Sequence, residues 1–117
     1  MSKYNSERTT IGGETFDSRK EAERWVVLRA KEGRGEISDL RRQVKFVLIP
    51  AQYKVEANGR TRCVEKEIAY YADFVYVRDG QTIVEDVKGY RGGSAYSMFK
   101  MKKKLMLYMH KIEVVEI

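Results

Sequence analysis

Two long runs of β-forming residues, separated by Asp79-Gly80, constrain the fold more than any other feature of this chain. The first run is Ile68–Val77 and the second is Gln81–Lys88, and both are rich in β-branched and aromatic side chains. An Asp-Gly dipeptide between two such runs favours the two-residue turn that joins antiparallel strands. The sequence therefore predicts a β-hairpin over this segment.

The predicted hairpin brings two carboxylates together. Counting back from the turn places Asp73 opposite Asp86, and opposing side chains on one face have Cβ atoms about 4.5–5.5 Å apart. Because side chains alternate along a strand, Lys88 projects from the same face as Asp86, whereas Glu85 and Val87 project from the other. We expect the Glu85 carboxylate to be solvated. Two such carboxylates suit Mg²⁺ or Mn²⁺, with Lys88 either stabilising charge on a phosphate beside the ion or orienting a water bound to the ion. Alternatively, the aspartates lie on a solvated face of the sheet and Lys88 only screens them.

The segments before and after the hairpin predict one α/β domain. Ser18-Arg19-Lys20-Glu21 fits a capping box, so a first helix is expected from Ser18 to about Lys31. Pro50 ends a strand-like run, and Asn58-Gly59 marks another hairpin turn. The other predicted elements are a strand at Val44–Ile49, a flexible loop at Gly89–Gly93, a helix capped by Ser94 or Ser97 that ends near His110, and a last strand at Ile112–Ile117. The order is helix, three-stranded meander, helix, strand.

Length and composition limit the class of protein. The chain has 117 residues, and 23 Lys+Arg against 17 Asp+Glu give a net charge of +6. We expect a flexible N-terminal arm at residues 1–15 and a single domain at residues 16–117. One cysteine, Cys63, and one histidine, His110, exclude an internal disulfide and disfavour zinc sites and histidine-based hydrolases. No apolar run is long enough to cross a membrane, so a cytoplasmic, non-membrane protein is expected.

The second predicted helix and the loop before it are strongly basic. Between Asp86 and Glu113 the chain has no acid and seven basic residues: Lys88, Arg91, Lys100, Lys102, Lys103, Lys104 and Lys111. This pattern favours contact with DNA through Arg91, Lys100, Lys102, Lys103 and Lys104. A basic helix face can also serve solubility alone.

An apolar stripe on the same helix is expected to face the core. Its members are Met98, Met101, Leu105 and Met109, with Lys102 inside the stripe and Lys100, Lys103 and Lys104 opposite. Lys102 either extends from the core to solvent or leans towards the metal site and holds a substrate phosphate.

Asp73 and Asp86-Val87-Lys88 resemble the D…(D/E)-x-K signature of the PD-(D/E)XK nucleases, although Ala72 stands where the name of that superfamily leads one to expect proline. The element order is similar to their core, so the resemblance implies a restriction-endonuclease-like fold, with a mixed central sheet flanked by helices. The chain is more closely similar to a small phage and prophage family of this superfamily, long catalogued as a domain of unknown function. The matching stretches are Lys3-Tyr4, Gly13–Arg24, Tyr71–Tyr76, Glu85–Gly89, Phe99 and Lys102–Leu105.

The resemblance implies a role for each matching residue. Asp73 and Asp86 would bind Mg²⁺ or Mn²⁺ together with the backbone carbonyl of Val87, and Lys88 would be the catalytic lysine. Glu21 matches the acidic residue that many of these nucleases place on their first helix, in contact with the metal or its water. A glutamate is also expected at this position of a capping box, and its carboxylate cannot fill both roles at once.

Two functions follow from these expectations. The first is a metal-dependent, phage-encoded DNA endonuclease in the host cytosol, which nicks DNA or cleaves branches and junctions with structure-dependent or weak sequence specificity. The second is a non-catalytic DNA-binding accessory module for phage replication or recombination. Junction cleavage would need a homodimer with two sites. Loss of Asp73 and Asp86 would abolish catalysis, but would leave or raise the DNA affinity of a binding module.

Overall fold

The computed structural model describes residues 7–117 and has a four-stranded sheet at its centre. The elements are β1 (Thr9–Ile11), β2 (Glu14–Phe16), α1 (Arg19–Gly33), β3 (Ser38–Ile49), β4 (Gln52–Val55), β5 (Thr61–Glu65), β6 (Ile68–Arg78), β7 (Gln81–Asp86), α2 (Gly93–His110) and β8 (Val115–Glu116). The central sheet has the order β3-β6-β7-β8, and β1-β2 and β4-β5 form two separate hairpins. Neither α1 nor α2, the helices of residues 7–117, is long and apolar enough to cross a membrane.

The hairpin predicted at Asp79-Gly80 is confirmed. β6 and β7 pair antiparallel, with Arg78 facing Gln81, and the pairing runs as far as Phe74 and Glu85. Both turn residues have positive φ angles, 51° and 76°, which this kind of two-residue turn requires. β3 pairs antiparallel with β6, whereas β8 runs parallel to β7. The predicted meander is therefore present, and the central sheet is mixed.

The central sheet lies between the two helices. Leu28 of α1 belongs to one buried cluster with Phe74, and Met106 and Phe99 of α2 belong to another with Val75. Phe74 and Val75 are neighbours in β6, and neighbouring strand residues point to opposite faces. The predicted α/β class, with a helix on each face of the sheet, is confirmed.

The alternation of side chains in β3 and β6 breaks at Gln43 and Asp73. Ala72 packs in the α2 cluster and Phe74 in the α1 cluster, although residues two apart in a regular strand share a face. At the same level, β3 also changes the face of the sheet on which its side chains pack. The paired residues of β3 and β6 before and after this point keep the same register. Gln43 has a φ of 50°, outside the β region, which accounts for the break in β3.

Residues 9–16 form a hairpin rather than the flexible arm predicted for residues 1–15. β1 and β2 form a hairpin whose turn residues, Gly12 and Gly13, have φ angles of 59° and 83°. Phe16 at the end of this hairpin is buried in the α1 cluster. Burial of this aromatic ring anchors the hairpin. The stretch Lys3-Tyr4 lies outside the described residues.

A second hairpin, β4–β5, interrupts the meander. Its turn contains Asn58 and Gly59, as predicted, but its strands pair only with each other and every residue in them is exposed. β3 begins at Ser38, earlier than the strand predicted at Val44, and ends before Pro50 as expected. The short β8 replaces the longer strand predicted at the end of the chain.

α2 differs from the sequence expectation at its cap and in its buried face. Gly92 is the N-cap residue and makes no side-chain cap bond, and Ser97 Oγ instead donates to the Gly93 carbonyl, so the predicted Ser94 or Ser97 cap is wrong. The predicted apolar stripe is wrong as well, because Met98, Met101 and Met109 are exposed and Leu105 is only partly buried. Phe99 and Met106 face the sheet instead.

Candidate metal centre

Asp73 lies where β7 separates from β6 to pair with β8. Its Oδ2 accepts a hydrogen bond of 2.8 Å from the Val87 N–H. The Asp86 carbonyl and the Lys88 N–H both bond to Ile117, on the β8 side of the chain. An extended backbone at Val87 would turn its carbonyl to the same side as its N–H, towards Asp73. One carboxylate and one backbone carbonyl would then offer oxygen ligands on that side.

Asp86 and Lys88 share a face, as strand alternation predicts. Asp86 Oδ1 lies 2.8 Å from Lys88 Nζ, and Asp86 Oδ2 accepts a hydrogen bond of 2.7 Å from the Tyr70 hydroxyl. The Lys88 ammonium also lies 3.5 Å from the centroid of the Phe99 ring. Its side chain is only 18% exposed, so this cation is held close to the carboxylates rather than extended into water.

Glu21 contributes its backbone to the helix cap and its carboxylate to the site. The Glu21 N–H donates to Ser18 Oγ at 3.1 Å, so the serine half of the predicted capping box is present. The carboxylate turns to the sheet, where Oε1 accepts from Gln43 Nε2 at 3.4 Å and lies 3.7 Å from Arg42 Nη2. Gln43 Nε2 also donates to Asp73 Oδ1 at 3.1 Å. One amide therefore connects Glu21 with Asp73, a connection that the sequence analysis missed.

The carboxylates at this site are crowded and shielded from water. Burial, with the charge of Asp86 as a further cause, raises the pKa of Asp73 to about 6. Burial, followed by the charge of Asp73, raises the pKa of Glu21 to about 7. A bound cation would relieve both the mutual repulsion and the loss of hydration.

The donors fit a partly hydrated Mg²⁺ or Mn²⁺ ion. Within residues 7–117 no three His, Cys, Asp or Glu side chains are arranged to hold a metal ion. Mg²⁺ commonly uses only one or two carboxylates and keeps several waters. Asp73, Asp86 and the Val87 carbonyl would supply these donors, and Glu21 would reach the ion or its water from α1. Asp86 would then exchange its contact with Lys88 for the ion.

The five predicted DNA-contact residues fall into two groups. Arg91 Nε and Lys103 Nζ lie 3.3 and 2.9 Å from the Glu116 carboxylate, and Lys103, with further bonds from Tyr96 and Arg91, lowers the pKa of Glu116 to about 2. These two cations are engaged within the protein. Lys100 and Lys104 are exposed, and Lys102 is half-buried one turn beyond Phe99.

Glu85, expected to be solvated, is buried instead. It is 1% exposed and accepts two hydrogen bonds from Arg24, at 2.8 and 2.6 Å, and a third from the Tyr76 hydroxyl. The alternation that separates Glu85 from Asp86 also turns Glu85 towards α1. Nothing in the local sequence indicates that α1 supplies an arginine at this point.

Lys20 of α1 contacts the end of the segment Asp86-Val87-Lys88. Its ammonium donates to the carbonyls of Lys88 and Ile117 at 2.6 and 2.8 Å. This contact, like the Arg24–Glu85 pair, fixes α1 and therefore Glu21 relative to β7. Both cations lie in the stretch around Glu21, but only the folded chain reveals their partners.

Comparison with known proteins gives a family but no activity. No curated protein and no solved structure matched the chain. One family model, described as a protein of unknown function (DUF1064), matches residues 1–115. This match spans the whole of the candidate centre, from α1 to the basic helix. The chain therefore belongs to the DUF1064 family.

Proposed function

We propose that this protein is a Mg²⁺- or Mn²⁺-dependent endonuclease that hydrolyses phosphodiester bonds of DNA, built on a restriction-endonuclease-like core. The observation that carries the proposal is the arrangement at the separation of β6 and β7. There Asp73 accepts a hydrogen bond from the Val87 N–H and feels the charges of Asp86 and Lys88, and Lys88 Nζ lies 2.8 Å from Asp86 Oδ1. Two carboxylates beside one lysine suit metal-assisted hydrolysis at phosphorus.

Each side chain has a distinct part in this reaction. Asp73, Asp86 and the Val87 carbonyl would hold the ion, which when bound supplies an acidified water and positive charge against the phosphate. Lys88, released from Asp86, neutralises charge that develops on the phosphate oxygens. Its packing against Phe99 limits the positions that its ammonium can adopt. Glu21 would accept a hydrogen bond from water beside the ion.

The basic surface supports DNA as the substrate. The net charge is +6, and Lys100 and Lys104 extend into solvent from the helix that also carries Phe99. Cations on such a helix attract a polyanion without reading its sequence. We propose recognition by DNA structure rather than by base sequence, with a homodimer required only where two strands of a junction are cut.

Conversion of supercoiled plasmid to nicked or linear DNA tests this proposal. Reactions contain Mg²⁺, Mn²⁺ or EDTA, and the variants are Asp73→Asn, Asp86→Asn and Lys88→Met, with Glu23→Gln as the matched control on an exposed acid of α1. We expect metal-dependent cutting that falls about 100-fold or more in the three site variants and stays unchanged in the control. Circular dichroism of each variant checks that the fold is intact.

Absence of cutting by the wild type with either metal, on plasmid and on branched DNA, would contradict the proposal. Undiminished DNA binding by Asp86→Asn in that case would favour the non-catalytic binding module. Cutting that persists in both aspartate variants would show that the activity comes from a contaminant or from another site.

A further inference from the structure

Gln43 occupies a position that a strand does not normally give to glutamine. Its φ of 50° lies in the left-handed region, in the middle of β3. Four described non-glycine residues have positive φ, and the others are Asp39, Asp79 and Lys111. Aspartate tolerates this conformation, and Lys111 ends a helix, where it is common. Gln43 is neither an aspartate nor the end of a helix. Its backbone therefore carries strain, which other interactions of the folded protein must offset.

The strained backbone places the Gln43 amide between two carboxylates. Nε2 lies 3.1 Å from Asp73 Oδ1 and 3.4 Å from Glu21 Oε1, although Gln43 itself is an exposed residue. A side-chain amide nitrogen has two hydrogens and can donate to two acceptors at once. Being neutral, it connects two repelling carboxylates without adding a positive charge that would compete with a metal ion.

We infer that Gln43 is a positioning residue, which sets the Asp73 and Glu21 carboxylates in the arrangement that receives a divalent cation and its water. This inference rests on the proposed function, because it assigns Gln43 to the same centre. Groups that orient metal ligands commonly change metal affinity by about 10- to 100-fold when removed. The strain at residue 43 would then be retained for function at the expense of stability.

A purely structural role makes the opposite prediction. β3 is an edge strand of the central sheet, and an irregular residue there can protect the edge from pairing with another chain. In that role the side chain has no effect on the carboxylates, and any residue that adopts the left-handed conformation would serve as well. Substitution by residues that tolerate positive φ therefore separates the two roles.

Mn²⁺ binding measured by isothermal titration calorimetry, with denaturant unfolding in parallel, provides the test. Gln43→Gly removes the amide and the backbone strain, and Gln43→Asn keeps an amide on a shorter side chain and tolerates positive φ. Asp39→Gly is the matched control, because it relieves positive φ in the same strand at a residue whose ion pair is with Arg41. We expect Mn²⁺ affinity to fall about 10-fold in both Gln43 variants and to stay unchanged in the control. The unfolding midpoint of Gln43→Gly should equal or exceed that of the wild type.

The possible results distinguish the inference from the proposed function. Mn²⁺ affinity equal to wild type in Gln43→Gly or in Gln43→Asn would overturn the positioning role while leaving the metal centre in place. If Gln43→Gly fails to unfold cooperatively, Gln43→Asn alone decides. A wild-type protein that binds no Mn²⁺ would overturn the metal centre, and this inference with it. A fall in the Asp39→Gly control equal to that of Gln43→Gly would assign the effect to the strand backbone and also overturn the inference.

Discussion

At the scale of single residues, the most consequential contact is the pairing of Glu85 with Arg24. The Glu85 carboxylate is 1% exposed, whereas the Arg24 side chain is 21% exposed. The Arg24 guanidinium of α1 makes a bidentate contact with the Glu85 carboxylate of β7. The Tyr76 hydroxyl donates a third hydrogen bond to the same carboxylate. It lies one residue from Asp86, so the same strand segment carries a structural acid on one face and a candidate catalytic acid on the other.

Removing the cation of this pair should destabilise the fold strongly. We expect Arg24→Met to lower the free energy of unfolding by about 3 kcal/mol, because it leaves the Glu85 carboxylate buried without its partner. Arg19→Met is the control, because Arg19 is an exposed arginine of the same helix; it should change stability by less than about 0.5 kcal/mol. Urea unfolding at neutral pH measures both. Similar small effects in the two variants would show that water hydrates Glu85 in the folded protein.

At the scale of elements, the β4–β5 hairpin stands apart from the sheet. It leaves the meander after Ile49 and returns at Ile68, and these two residues are themselves paired across β3 and β6. None of the residues in its strands is buried. It therefore adds little apolar burial to the fold.

Deleting this hairpin should leave the rest of the protein folded. We expect a variant in which Asn-Gly replaces residues 50–67 to melt cooperatively, with a Tm within about 5 °C of the wild type. Shortening the connection reduces the entropy cost of loop closure, and the ion pair between Lys45 and Glu67, which this deletion removes, is exposed. Thermal unfolding followed by circular dichroism provides the measurement. A broad transition or a much lower Tm would show that the hairpin supports the central sheet.

At the scale of the whole molecule, the basic side chains behind the net charge of +6 are not all equally available to a ligand. Arg91 and Lys103 are held by Glu116, whereas Lys100 and Lys104 are exposed on α2. A cation that neutralises a phosphate displaces counterions from the nucleic acid, and a cation held by Glu116 would first have to leave that carboxylate. The number of basic residues in the sequence therefore overstates the number of cations available to a polyanion.

The salt dependence of DNA binding should reveal this difference. The slope of log K against log salt concentration should become about 2 units less steep in the double variant Lys100→Ala/Lys104→Ala, because each phosphate that a lysine neutralises contributes about 0.9 to the slope. Arg91→Ala should leave the slope unchanged, because its guanidinium contacts Glu116. Fluorescence anisotropy with a labelled duplex, in Ca²⁺ or EDTA, measures both. A reduced slope in Arg91→Ala would mean that Arg91 leaves Glu116 to contact DNA.

The sequence by itself determined the elements whose causes are local. The Asp79-Gly80 turn sets the register of β6 with β7 as far as Phe74 and Glu85, the pair before Asp73 and Asp86, and the Ser18 cap begins α1 at Arg19. Turn geometry and capping depend on residues a few positions apart, which is why a pattern in the chain suffices for them.

Only the tertiary structure decided the contacts between distant segments. The buried face of α2, the pairing of Glu85 with Arg24 and the bridge from Gln43 to Asp73 and Glu21 each depend on packing across the sheet. Helical periodicity offered an alternative stripe with Met98, but the larger Phe99 ring lies against the sheet and Met98 remains exposed. Such choices are made by shape and burial between elements, and no local pattern encodes them.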